Sequence, residues 1–384
     1  MTTTEPTAFI QPGATLGMLG GGQLGRMFVI AARTMGYGVI VLDPDPHSPA
    51  GALATEHVCA AYDDPVALNR LAETCAAVTT EFENVPADTL ATLASACPVR
   101  PGASAVAPVQ DRIREKSLLD RHAIPTAPWC AVEQRADLQQ AVADVATPAI
   151  LKRARGGYDG KGQAQVDDAA GIEDAFAALG EAPAILEQRI ALACEVSVIV
   201  CRAVDGAVAS YPPAENVHHD GILFTSTVPA RIDDDLAERA RATAIEVANA
   251  LDYVGVVGVE MFVTGDNTIL VNEIAPRPHN SGHFTLDACA TSQFEQQVRL
   301  LCGGPPASTR LLTPVAMVNL LGDLWRDGDP DWSDVLGEER AYLHLYGKRE
   351  PRPGRKMGHI NVLADDPSAA LARAAALHAA LARQ

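Results

Sequence analysis

Apolar and polar positions along this chain switch between a period of two and a period near 3.6, and the switches mark its elements. ATLGMLGGGQLGRMFVIAARTMG (14–36) reads as a short apolar strand, a glycine turn and an amphipathic helix. GVIVLDPD follows as a second buried strand ending at Asp43, and VTTEFENVP (78–86) as a strand end carrying Glu81 and Glu83. Strand–helix alternation of this kind predicts a parallel α/β domain, closing near Arg100-Pro101-Gly102. QDRIREKSLLDRHAIPTAPW opens with a helix that leads into a second unit. There PAILKRA, GQAQV, AILEQ and VSVIVCR read as strands, and GIEDAFAAL as a helix. A long helix is expected over Asp233 to Leu251, then a hairpin over Val256 to Ala275. The remainder carries strands in MVNLLG, AYLHLYG and KMGHINVLA and an alanine-rich terminal helix, whose composition reflects helix propensity. The first 14 residues or so read as a loose tail.

A length of 384 residues with 48% hydrophobic content predicts a packed protein of two or three domains. No apolar run reaches the length of a membrane span, and the N-terminus lacks the basic and apolar regions of a secretory signal. The eight cysteines are scattered without a CxxC pair, which predicts reduced thiols in a cytoplasmic protein. A net charge of -18 argues against nucleic acid as a partner and makes a local basic cluster stand out. One lies in GKREPRPGRK, with Lys348, Arg349, Arg352, Arg355 and Lys356. A solvated loop and an anion site are the two readings, and the acidic background favours the anion site.

Four further segments carry candidate chemistry. Gly20, Gly22 and Gly25 match G-x-G-x-x-G between a strand and a helix, with Asp43 eighteen residues on. An NAD site, a structural turn and a site for another substrate's phosphate all remain open there. LKRARGGYDGKGQ (151–163) is rich in glycine and cations but fails the Walker A pattern, because Gly162 follows Lys161 where a hydroxyl is required. It suits a lid whose backbone amides and Lys161 face phosphates, with Lys152 at the end of the preceding strand. In GVEMFVTGDNTILVNEIA, a four-residue turn at 264–267 sets Glu260 opposite Val271. Glu273 then lies diagonally on the same face, roughly 7–8 Å away at the backbone, and both carboxylates reach one magnesium ion. The fourth feature is a pair of histidine-bearing loops, ENVHHDGIL and RPHNSGH. They lack the spacing of a zinc site and suit an oxyanion held by Arg277.

GGGQLGRM, EFENVP, QDR, KRARGGYDGKGQ, ENVHHDGI, NEIAPRPHNSGH, SQFEQ and RPGRKMGH stand in the order seen in the 5-(carboxyamino)imidazole ribonucleotide synthetase family, within the ATP-grasp superfamily. The resemblance spans nearly the whole chain, and the polar N-terminal extension is the main departure. It implies an α/β and α+β fold. Its parts are a Rossmann-like pre-ATP-grasp domain (1–107), an ATP-grasp domain (108–300) and a small β-rich C-terminal domain (301–384).

For the ATP site the resemblance implies Arg112, Lys152, Gly157, Tyr158, Asp159, Gly160, Lys161, Gly162, Gln163, Glu187, Gln188, Arg189, Ile190, Glu195, His218, Asn272 and Glu273. Glu260 and Glu273 would hold Mg2+, with Mn2+ as an alternative. Gln23, Leu24, Glu81, Tyr158, Asp159, Lys348 and Arg355 would bind 5-aminoimidazole ribonucleotide. Arg277, His279 and Asn280 would orient bicarbonate, and Lys152, Tyr158, Asp159 and Arg277 would act in catalysis. The implied reaction phosphorylates bicarbonate with ATP and carboxylates the ribonucleotide's amine. A homodimer and a functional link to the downstream mutase are implied as well. The rivals are another ATP-grasp ligase such as the formate-dependent glycinamide ribonucleotide transformylase, an NAD-binding dehydrogenase and a non-catalytic nucleotide-binding regulator.

Overall fold

The computed structural model describes residues 9–157 and 161–383. Its first sheet is parallel, in the order Glu56–Val58, Gly38–Leu42, Thr15–Leu19, Ala77–Thr80. The two inner strands are buried on both faces, as a covered parallel sheet requires. Helix Gln23–Thr34 sets Phe28, Val29 and Ala32 against Leu16, Met18, Val39 and Val41. Val298, Leu301 and Cys302 complete that core from near the end of the helix Gln293–Leu301. The glycine turn thus sits between this first unit and the rest of the chain.

A small antiparallel sheet of Trp129–Val132, Ala184–Gln188, Ala149–Arg153 and Gln163–Val166 carries the lid. Lys152 pairs with Gln163, so the glycine- and cation-rich segment closes a hairpin. Helices Leu138–Asp144 and Ile172–Ala178 cover one face through Leu138, Ala141, Ile172 and Phe176.

Among the described residues, the largest sheet has nine strands. Ile269–Ala275, Gly255–Thr264 and Leu192–Arg202 form one end. The C-terminal strands Val315–Leu321, Lys356–Leu363 and Ala341–Leu345 extend the other. The C-terminal segment is therefore β-rich as expected, but its strands continue the central sheet through Ile222–Val228. The physical reason is edge protection: that pairing covers a strand that would otherwise expose unpaired backbone groups. Helix Asp234–Ala250 packs under the same sheet with Leu236, Ala240, Ala244 and Val247.

Helix Arg112–Arg121 positions the site most directly. Asp111 caps it by accepting from Ile113 N at 3.1 Å and Arg114 N at 3.3 Å. Its buried face carries Arg112, Glu115 and Lys116 at helical spacing before Leu118 and Leu119. Such a face must be compensated by opposite charge, and those partners are site residues. Among the described residues, no helix is long and apolar enough to cross a membrane.

Candidate active site

The hairpin brings Glu260 and Glu273 closer than the sequence spacing predicts. Val263 pairs with Ile269 and Met261 with Val271, and a bulge then sets Glu260 directly opposite Glu273. The expected diagonal arrangement is therefore corrected. The connection runs one residue longer, with Asn267 at φ 62° and Thr264 N donating to Thr268 O at 3.0 Å. Asn272 is the extra residue of the bulge. Directly opposed residues share a face with Cβ atoms about 4.5–5.5 Å apart, so both carboxylates serve one site. Each faces a basic side chain: Glu273 accepts from Arg112 Nη2 at 3.2 Å, and Glu260 lies 3.0 Å from His279 Nε2. Burial pushes the Glu260 carboxyl up, but His279, His218 and Lys356 outweigh it and hold it down at about 2.

On the facing side, Lys152 Nζ is bonded to Glu187 Oε2 and lies 3.4 Å from Asn272 Oδ1. The other oxygen of Glu187 is held by Lys116 Nζ at 2.6 Å. Burial lowers the Lys152 pKa, against the pull of Glu187. The two lysines overcome burial at Glu187 and keep its carboxyl below the usual range. His218 Nδ1 stands 2.8 Å from Glu195 Oε2 and its Nε2 4.0 Å from Glu260 Oε2, so one ring links two expected site residues. Burial works against the imidazolium, yet the two carboxylates raise the His218 pKa overall. Gly157 lines the cavity between lid and hairpin together with Arg112, Glu260, Glu273 and Arg277. Gln188 N and Arg189 N are occupied by the carbonyls of Pro128 and Pro148. Tyr158, Asp159 and Gly160 lie outside the described residues.

The glycine turn is filled by the protein itself. Gly21 N donates to Asp43 Oδ2 at 2.7 Å, Gly22 N donates to Glu81, and Gly25 N donates to Glu81 Oε2 at 2.5 Å. Gly20 has φ +105°, and a methyl there would sit 2.4 Å from Glu81 Cγ. A dinucleotide pyrophosphate needs those amides, so the NAD reading loses its donors. The charge of Lys348 acts on Glu81, which brings the basic loop to the same place. Lys348 Nζ donates to Lys356 O at 2.7 Å and lies 5.6 Å from the Tyr346 ring centre. Arg355 Nη1 donates to Glu350 O at 2.8 Å. Gln23 opens the helix, while the side chain of Leu24 packs with Met27, Phe294 and Tyr346. The side chain of Leu24 is thus committed to packing between the first helix and the rest of the chain.

Arg277 Nε is bonded to Glu83 Oε2, and Nη1 donates to Pro278 O at 3.3 Å. His279 Nδ1 lies 2.8 Å from Ser281 Oγ. Asn280 forms a reciprocal amide pair with Asn319 at 3.0 and 2.7 Å, so a bicarbonate contact from its side chain would break that pair. Burial raises the Glu83 carboxyl, but the charge and hydrogen bond of Arg277 take it below the usual range. A depressed carboxylate stabilises the fold above its unfolded value of about 4.3, and that contribution is lost as pH falls through the depressed value. Glu83→Gln is expected to flatten the acid limb of the Tm–pH profile. It should cost about 3–5 kcal/mol by leaving Arg277 buried without its partner. Thermal melts between acid and neutral pH decide it, and an unchanged acid limb would dismiss the pair as a stabilising contact.

Two site neighbours were not anticipated. Lys116 also donates to the carbonyls of Val271 and Asn272 at 3.2 and 3.1 Å, clamping the bulge. Glu115 is buried beside Arg112 and Glu273. Burial and the Glu273 charge push its carboxyl up to about 8, and its Oε1 has no hydrogen-bond partner among the described residues. The signal was present in QDRIREK: charged residues at i, i+3 and i+4 of one helical face.

Three family models match in order. They are the ribonucleotide synthetase preATP-grasp domain over 13–110, the ATP-grasp domain over 117–294 and the phosphoribosylaminoimidazole carboxylase C-terminal domain over 315–373. N5-carboxyaminoimidazole ribonucleotide synthase of Bacillus subtilis is 45% identical over 354 residues, covering 92% of each chain. The Brucella melitensis protein of the same name is 48% identical, covering 91% of this chain and 96% of its own. A crystal structure of an N5-carboxyaminoimidazole ribonucleotide synthetase in complex with ADP superposes with a TM-score of 0.92 at 44% identity, covering 97% of this chain and 98% of that one. The Aspergillus clavatus enzyme with ADP and 5-aminoimidazole ribonucleotide gives 0.89 at 34% identity, covering 97% and 99%. Sequence, fold and domain order agree over nearly the full length, and the chain belongs to the N5-carboxyaminoimidazole ribonucleotide synthase family of ATP-grasp enzymes.

Proposed function

We propose that this chain carboxylates 5-aminoimidazole ribonucleotide on its exocyclic amine, using ATP and bicarbonate and releasing ADP and phosphate. One observation carries the site assignment. The opposed carboxylates Glu260 and Glu273 line one cavity with Arg112 and Arg277, and Asn272 in the bulge beside them reaches Lys152 of the Lys152–Glu187–Lys116 triad. Relatives at 45% and 48% identity supply the substrate class.

In this reading ATP lies under the lid of 154–162, with its adenine edge against the backbone at Ile190 and its ribose near Glu195. Lys152 meets an inner phosphate, and Arg112 shifts from Glu273 toward the phosphates. Bicarbonate oxygen attacks the γ-phosphorus, ADP leaves, and carboxyphosphate forms. The amine then attacks the carboxyl carbon, the carbon–oxygen bond to phosphate breaks, and the amine loses a proton. Arg277 orients bicarbonate through its cavity side, and closure of the lid keeps water from the readily hydrolysed intermediate. Among the described residues, no group of three or more His, Cys, Asp or Glu forms a ready metal cage. Two glutamate side chains with an adjacent amide oxygen are hard donors that suit Mg2+ or Mn2+, with phosphate oxygens completing the shell. Such an ion would neutralise charge on the transferred phosphoryl group.

The same reading places domain limits near residues 107 and 300, a homodimer in the cytoplasm, and a mutase downstream. ADP release tests the whole. It should require the ribonucleotide and slow on bicarbonate depletion. Release that depends on formate would replace the assignment with a transformylase, and ATP binding without release would point to a regulator. Lys348→Ala should raise the ribonucleotide KM by about tenfold or more, as a lost charge-assisted contact does, with little change for ATP. Equal rises in both would move the basic loop out of the ribonucleotide site.

A further inference from the structure

Several arginines of this chain pair with carboxylates, and among the described residues Arg26 beside the glycine turn does not. Arg112 pairs with Glu273, Arg277 with Glu83 and Arg231 with Glu215. Arg26 is also partly buried, yet among the described residues it makes no ion pair. Its guanidinium makes one hydrogen bond, Nη1 to Pro49 O, at a long 3.4 Å. Burial lowers its pKa, which is the mark of a cation partly stripped of water with nothing of opposite sign to replace it.

Its position gives that cost a use. Arg26 stands in the first turns of helix Gln23–Thr34, whose opening turn contains no acidic residue. Gly347 lies against it: a methyl on that glycine would sit 3.5 Å from Arg26 Nη1 and 3.8 Å from Cζ. The next residue is Lys348, whose charge acts on Glu81. Glu81 in turn occupies the amides of Gly22 and Gly25. Two cations therefore converge beside a turn whose own amides are taken, in a chain of net charge -18. A phosphate monoester entering there would find its donors on side chains. A planar guanidinium is the group best shaped to take two of its oxygens.

We infer, resting on the carboxylation reading above, that Arg26 binds the 5′-phosphate of the ribonucleotide together with Lys348. Arg26 is thus a substrate-binding residue on the first domain, and the phosphate joins that domain to the C-terminal loop.

The test compares the ribonucleotide with its riboside, which lacks the phosphate, on the full chain and on Arg26→Gln. Calorimetry should show the unsubstituted chain preferring the ribonucleotide. Arg26→Gln should lose about tenfold or more of that preference, with riboside affinity unchanged. Steady-state assays should show the ribonucleotide KM rising by the same factor and the ATP KM staying put. Arg26→Lys retains stem and charge and should recover part of the preference, which keeps the test valid if Arg26→Gln folds poorly. An unchanged preference in folded Arg26→Gln overturns the inference, as does an equal loss for ribonucleotide and riboside. If the unsubstituted chain shows no ribonucleotide-dependent ADP release, the carboxylation reading itself falls and takes this assignment with it.

Discussion

Glu273→Gln is expected to lower ADP release by about three orders of magnitude while leaving the fold nearly intact. The activity loss follows from the pairing of Glu260 with Glu273 on one face of the hairpin. Glutamine keeps the shape and one oxygen but removes half the charge available to a divalent ion. Metal assistance to phosphoryl transfer is worth several kcal/mol, and about 1.4 kcal/mol is a factor of ten. The fold should survive because Arg112 has a second carboxyl beside it. Glu115 is held at about 8 by burial first and by Glu273 second. Removing the Glu273 charge relieves that second cause, so Glu115 ionises more readily and compensates Arg112. Turnover, melting temperature and Mn2+ affinity by paramagnetic resonance together check the argument. Turnover within tenfold of the parent would remove the hairpin from the metal site.

The hairpin also shows what the sequence made legible. Strand identity and the identity of both carboxylates followed from alternation and composition. The register did not, because a bulge at Asn272 and a five-residue turn each move the pairing by one step: the bulge carries no glycine or proline, and Gly265 in the turn does not distinguish four connecting residues from five. The lid hairpin and the long helix Asp234–Ala250 were likewise local patterns that survived folding. Long-range compensation was out of reach. Arg277 and Glu83 are 194 residues apart, and Glu81 reaches back 59 residues to the glycine turn. From sequence, the G-x-G-x-x-G match leaves a phosphate site open; in the folded chain two carboxylates, Asp43 and Glu81, have taken its amides. A motif reports which backbone groups are exposed locally, and only the fold decides what meets them.

Lys116 is the most consequential residue that the pattern concealed, and it makes the two lysines of the triad separable. Both hold Glu187, one on each oxygen. Lys152 additionally faces Asn272 Oδ1, toward the hairpin and its carboxylates. Lys116 instead bonds the main-chain carbonyls of Val271 and Asn272 and is fully buried. Lys152→Met should therefore leave Glu187 neutralised by Lys116 and the bulge clamped, so melting changes little. Turnover should fall by about 10²–10³-fold, the usual loss when one preorganised donor to developing charge is removed. Lys116→Met should do the reverse in stability. Two carbonyls lose their donor and Glu187 keeps a single partner, a cost of about 3–5 kcal/mol for a broken buried pair. Melting curves and ADP release on both variants decide the matter. A Lys152→Met protein that keeps turnover within tenfold would take Lys152 off the phosphates. A Lys116→Met protein that melts like the parent would show that the bulge, and with it the pairing of Glu260 with Glu273, holds its register without the clamp.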